Sequence, residues 1–125
     1  MKILIIDDES IFKMMITSFL DREGHDLFFA DSGKEGIQKA EANNPDLILL
    51  DAMMPEMSGF KTCQLIRKNE KIKNIPVIML TALDKVGDVE SAFKCGADEY
   101  IAKPIEANTF PSILDRKYKR ISGKR

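Results

Sequence analysis

The chain sets short, unbroken apolar runs against longer stretches in which apolar residues recur every three or four positions. The runs are "ILII" at 3–6, "LFFA" at 27–30, "LILL" at 47–50 and "VIML" at 77–80. Each is continuous rather than alternating, which predicts strands covered on both faces of a parallel sheet. A fifth run, "EYIA" at 99–102, is short with a polar start and predicts an edge strand. "LFFA" is assigned to the opposite edge, because only Asp31 and Ser32 follow it.

Helical spacing fills the gaps. Ile11, Met15, Phe19 and Leu20 make one stripe, with Gly24 as its C-terminal cap. Gly36, Ile37 and Ala40 carry a second, closed by "NNPD". Ser58 caps a third that bears Phe60, Cys63, Ile66 and Arg67, and Val89, Ala92 and Phe93 mark a fourth ending at Gly96. Phe110, Ile113, Leu114, Tyr118 and Ile121 form the last. Proline is tolerated in the first turn of a helix and not in its interior, so Pro111 places the start of this helix near Asn108 or Thr109.

Strand and helix therefore alternate five times, at about twenty to thirty residues per repeat, which predicts an α/β fold of five parallel strands with helices on both faces. The 125 residues suit one domain, expected over 1–121, with 122–125 left as a basic tail or the stump of a linker. No apolar run reaches the roughly 20 residues of a membrane span, and Met1-Lys2 opens straight into a strand, so a cytoplasmic chain without a membrane partner is expected. A net charge of −1 argues against direct nucleic-acid binding by this domain. Cys63 and Cys95 lack CxxC spacing and read as two reduced packing thiols. The single histidine, His25, lies in the polar turn "REGHD" and reads as a loop residue.

In an open parallel sheet, ligands bind beyond the carboxyl ends of the strands, near the point where strand order reverses. The residues just past each run are Asp7 and Asp8, Asp51, Thr81, and Lys103-Pro104. Converging carboxylates raise one another's pKa unless a cation joins them. Hard oxygen donors without histidine or thiolate favour Mg²⁺ or Mn²⁺. Lys103 offers a point charge to a phosphoryl oxygen and Thr81 a hydroxyl donor, so the set describes phosphoryl transfer to a carboxylate nucleophile. Each member has a plainer reading. Asp8, Glu9 or Ser10 can cap the first helix, Asp51 can open a loop, and a lysine on a strand can simply face solvent. The set is specific because all its members fall at the same end of successive strands.

The motifs "DD" at 7–8, "LILLDAMMPEMSG" at 47–59, "VIMLTA" at 77–82 and "GADEYIAKP" at 96–104 resemble, in order and spacing, the receiver domain of two-component response regulators. The resemblance covers essentially the whole chain. It implies a flavodoxin-like strand order 2-1-3-4-5 and a phosphorylation-gated signalling switch rather than an enzyme with turnover. Asp51 would accept a phosphoryl group from a phosphohistidine on a sensor histidine kinase or a phosphotransfer protein. Asp7, Asp8, Asp51 and the backbone carbonyl of Met53 would hold the cation, and Thr81 and Lys103 the phosphoryl oxygens. Tyr100 would be the switch aromatic that turns inward when Thr81 moves, repacking the face made by the fourth helix, fifth strand and last helix. The Lys103-Pro104 peptide would be cis.

The same resemblance implies control of an output protein or a fused effector domain, and a phosphorylation-dependent dimer. Here the late, proline-containing start of the last helix departs from the family pattern and leaves that face open to another partner. Met53 and Leu83 flank the phosphoryl position in the family and are apolar and bulky in this chain. Neither can orient a water, so slow self-dephosphorylation is expected. The alternative is an aspartyl-nucleophile phosphohydrolase of similar build. Such enzymes place the nucleophile after the first strand in a DxD pattern, whereas this chain has adjacent Asp7-Asp8 there and no inserted cap domain.

Overall fold

The computed structural model describes residues 1–82, 90, 91 and 93–123. β1 (Lys2–Ile6), β2 (Asp26–Ala30), β3 (Leu47–Asp51), β4 (Val77–Thr81) and β5 (Glu99–Ala102) form one parallel sheet in the order β2-β1-β3-β4-β5. Register is continuous across it: Ile6 lies beside Ala30 and Leu50, and Asp51 beside Leu80. The unbroken apolar runs have the cause the sequence suggests. Ile3, Ile5, Leu47, Leu49, Ile78 and Leu80 point into one layer, and Leu4, Ile6, Ile48, Leu50, Val77 and Met79 into the other, all without solvent contact.

α1 (Ser10–Phe19) and the last helix (Phe110–Gly123) cover the first layer, while α2 (Gly33–Asn43) and α3 (Gly59–Lys68) cover the second. β2 is a half-exposed edge, as expected from its weak flank. At the other edge the polar start of β5 is not solvated. Glu99 is buried and accepts from Arg120 at 2.8 Å, with Lys117 at 3.8 Å, so two cations of the last helix reach over to it.

The first helical stripe is corrected at Ile11, which is 74% exposed. Leu20 is buried, Met15 and Phe19 pack half-buried against the same layer, and the centre of the core side is Phe12 and Ile16. Positions one residue apart are equally helical in spacing, and the place of the sheet decides which one is enclosed. Gly24 does not cap α1 either; Leu20 caps it, and Gly24, with φ +74°, turns the chain toward β2. Ser32 and Ser58 cap α2 and α3 through their hydroxyls, and Asn44 closes α2 in the left-handed region.

The last helix begins at Phe110 with Pro111 in its first turn, as the sequence demands. Residues 90, 91, 93 and 94 are helical, and the helix ends at Gly96, whose φ is +99°. Val89 and Ala92 of the fourth stripe lie outside the described residues. Among the described residues no helix is long and apolar enough to cross a membrane.

Candidate functional site

Sheet order reverses between β1 and β3, and the acidic residues collect beyond their carboxyl ends. Asp7 follows β1, and its backbone N–H donates to the Ala30 carbonyl at 3.1 Å, which fixes the strand end. Asp51 is the last residue of β3. Asp7, Asp8, Glu9 and Asp51 each present a carboxylate oxygen, and these atoms all lie within 4.8 Å of one another. Asp7 and Asp51 are buried, whereas Asp8 and Glu9 are exposed.

Each buried carboxylate has one oxygen engaged and one without a hydrogen bond. Asp7 Oδ1 accepts from the Glu9 N–H at 2.8 Å and Asp51 Oδ1 from the Met53 N–H at 3.3 Å. Asp7 Oδ2 and Asp51 Oδ2 have no hydrogen-bond partner among the described residues. Lys103 Nζ is 3.3 Å from Asp51 Oδ1 and 3.6 Å from Asp7 Oδ2. The ammonium also sits 4.0 Å from the centroid of the Phe12 ring, so the first residue of the true α1 stripe forms a floor beneath it.

Burial raises the pKa of Asp7 to about 6; the Glu9 N–H opposes this, Asp51 adds to it, and Lys103 opposes it. Burial also raises Asp51, against the pull of Lys103 and the Met53 N–H. One lysine thus serves two enclosed carboxylates and leaves excess negative charge. Two orphaned buried oxygens, hard donors throughout and no nitrogen or sulfur ligand fit a divalent cation of the Mg²⁺ or Mn²⁺ type.

Thr81 is buried at the end of β4, one register step beyond the Asp51–Leu80 pair. Its carbonyl accepts from the Lys103 N–H at 2.9 Å, which couples β4 to the lysine. The Lys103–Pro104 peptide is cis. Met53 is exposed. Tyr100 is not part of the acidic cluster. It lies beside Met79 on the α3 side of β5, half-buried, with the Phe93 ring edge-on at 5.9 Å and Lys117 Nζ at 5.4 Å from its ring centroid. Leu83 lies outside the described residues.

Two contributors escaped the sequence reading. Phe12 was legible only if the stripe had been drawn one residue later. Gly59 donates its N–H to the Ala52 carbonyl at 2.9 Å, and a Cβ there would run into the Asp51 carbonyl oxygen. Its signal, a glycine one residue after the Ser58 cap, does not by itself announce a close approach. The capping role offered to Asp8, Glu9 or Ser10 is not seen: Glu9 occupies the N-cap position without a side-chain bond, and its own N–H donates to Asp7 Oδ1.

Fold and site together define a doubly wound α/β module with a cation-seeking acidic pocket at the carboxyl edge of its sheet. The family model described as "Response regulator receiver domain" matches residues 3–115, and the chain belongs to that family. It is a phosphorylation-gated signalling module, and the phosphohydrolase alternative falls. The DNA-binding dual master transcriptional regulator RpaA of Synechocystis is 41% identical over 84% of this chain and 44% of its own length. The chain spans about half the length of the curated relatives it matches.

Among solved structures, the chemotaxis protein CheY4 of Vibrio cholerae superposes with a TM-score of 0.85 at 29% identity, covering 92% of this chain and 96% of that one. The receiver domain of the sensor histidine kinase PA1611 from Pseudomonas aeruginosa superposes with a TM-score of 0.83 at 29% identity, covering 94% and 97%. In that protein a magnesium ion is coordinated in the active-site cleft.

Proposed function

We propose that Asp51 is the phosphoacceptor of this module, taking its phosphoryl group from a phosphohistidine of a sensor histidine kinase or a phosphotransfer protein. The attacking atom is Asp51 Oδ2; Oδ1 is already held by Lys103 and the Met53 N–H. A bond from this oxygen to phosphorus forms as the phosphorus–nitrogen bond of the donor breaks, leaving an acyl phosphate and a free imidazole. Lys103 and the Thr81 hydroxyl then bind the phosphoryl oxygens. Asp7, Asp8 and Asp51, with the Met53 backbone carbonyl, would hold Mg²⁺ or Mn²⁺, which when bound supplies positive charge against the phosphoryl oxygens.

The observation that carries this reading is the buried, unpartnered Asp51 Oδ2 at the end of the central strand, with a lysine on the neighbouring oxygen. The signal then passes to the β5 side. Thr81 follows the phosphoryl group, Tyr100 turns into the space it leaves, and the face made by the helix ending at Gly96, β5 and the last helix repacks. That face would pair two phosphorylated copies or bind an output partner. The names of the relatives, transcriptional regulators, favour a fused or separate DNA-directed effector acting in the cytoplasm.

The test is loading with a small phosphodonor such as acetyl phosphate in the presence of Mg²⁺, read by intact mass. Wild-type protein should gain one phosphoryl group, and Asp51→Asn should gain none. Unchanged loading of Asp51→Asn would move the acceptor elsewhere.

A further inference from the structure

The sequence offers Cys63 and Cys95 as two separate packing thiols, 32 positions apart. The fold brings them together. Cys63 lies on the inner face of α3, Cys95 lies in the turn between the helical residues 93 and 94 and β5, and both are buried in the same apolar layer. Their side chains share a hydrogen bond.

The two segments are held against each other by more than this contact. Arg67, one turn beyond Cys63 on α3, donates from Nε to the Gly96 carbonyl at 2.7 Å and from Nη2 to Asp98 Oδ2 at 2.7 Å. Its Nη1 reaches the Ile75 carbonyl at 2.8 Å. Gly96 lets the guanidinium stem pass: a Cβ there would stand 2.7 Å from Arg67 Cγ. The backbone on either side of the thiol pair is therefore held in place.

The two thiols are not equivalent. Cys63 is enclosed, and its bond to Cys95, together with burial, pushes its pKa up; that same bond draws the Cys95 thiol down, against burial, with Arg67 assisting. Cys95 also lines a surface concavity of about 380 Å³, bordered by Arg67, Lys68 and Lys94. Cys95 keeps a 4% exposure at the edge of this concavity whereas Cys63 has no solvent contact, so a small oxidant meets Cys95 first.

We infer that Cys63 and Cys95 form a reversible dithiol–disulfide site that reacts with hydroperoxides, Cys95 attacking first and Cys63 resolving. The Cys95 thiolate attacks a peroxide oxygen, the O–O bond breaks, and water leaves once the departing oxygen is protonated, giving a sulfenic acid. The Cys63 sulfur then attacks the Cys95 sulfur. The S–S bond forms, the S–O bond breaks, and the Cys63 proton leaves with that oxygen as a second water. Two thiols are oxidised to one disulfide as one hydrogen peroxide is reduced to two waters, and a small dithiol reverses the change. The bond would tie α3 to the helix whose Phe93 ring meets Tyr100.

The experiment treats the reduced full chain with hydrogen peroxide, alkylates it in denaturant, and reads intact mass and peptides. Wild-type protein is expected to lose both alkylatable thiols as a monomer and yield a Cys63–Cys95 cross-linked peptide that dithiothreitol removes. Cys63→Ala should instead accumulate a dimedone-reactive sulfenic acid at Cys95, and in Cys95→Ala the Cys63 thiol should stay alkylatable. Asp51→Asn should give the wild-type result, because the site is independent of the phosphoacceptor. Retention of either thiol in the treated wild type, over-oxidation without a cross-link, or a purely intermolecular disulfide would overturn the assignment without needing the variants.

Discussion

Asp7 is fully enclosed, with one oxygen on the Glu9 N–H and the other facing Lys103 at 3.6 Å. Its pKa in the folded chain, about 6, stands above the ordinary 3.8. The folded state therefore holds the proton more tightly than the unfolded state does, so this group's contribution to stability is fully present below pH 3.8 and lost as pH rises through about 6. Asp7→Asn removes that dependence. Without metal, the variant should gain on the order of 2 kcal/mol over wild type at pH 7, and the gain should vanish near pH 4. Urea unfolding in chelator across this pH range checks it. Met53 argues in the other direction: an apolar side chain, 73% exposed, two residues past Asp51 cannot orient an attacking water. Met53→Asn should speed loss of the phosphoryl group several-fold, measured as decay of the phosphorylated mass. An unchanged lifetime would leave the slow-decay reading without support.

At the scale of elements, α3 sets the site from below. Ser58 caps it, Gly59 lets its first turn touch the end of β3, and Cys63 and Ile66 bury its inner face. A methyl at position 59 strikes backbone rather than a flexible side chain, so either α3 or the Asp51 strand end must move. Gly59→Ala should cost about 1–3 kcal/mol in urea unfolding and lower phosphodonor loading as well. Loss of stability with normal loading would mean that α3 yields and Asp51 stays in place. On the opposite edge, burial of Glu99 beside Arg120 and Lys117 joins β5 to the last helix. Glu99→Gln should loosen the C-terminal half of that helix, seen as faster amide exchange there, while β1 and β3 keep their protection.

For the whole molecule, a cation bound in the pocket would link its excess buried charge to the stability of the fold. A ligand bound only by the folded state stabilises it by about 2.7 kcal/mol at one hundred times its dissociation constant. Mg²⁺ should accordingly raise the melting temperature of wild type, and the rise should shrink in Asp7→Asn and in Asp51→Asn. The output face is a separate matter. Glu99 already pairs within the chain with Lys117 and Arg120. Light scattering with and without a phosphoryl mimic reads whether that face pairs two copies. The mass should double on loading, and a mass that stays at 14.1 kDa assigns the face to a different partner.

The apolar runs determined β1, β3 and β4, because a strand covered on both faces must be apolar along its length, whereas β2 is a half-exposed edge and β5 begins on Glu99. The positions of Asp7, Asp8, Asp51, Thr81 and Lys103 were likewise legible, since each directly follows such a run or sits at its end. Helix faces were less so. Met15, Phe19 and Leu20 of the expected α1 stripe do face the core, but Phe12 and Ile16 are its centre and Ile11 is exposed, a choice that belongs to the sheet onto which α1 folds. Nor could spacing reveal that Lys103 rests on Phe12, that Gly59 clears the Asp51 carbonyl, or that Cys63 meets Cys95. These are contacts between segments far apart along the chain, and local periodicity carries no record of which distant surface a side chain will reach. That was left to tertiary packing.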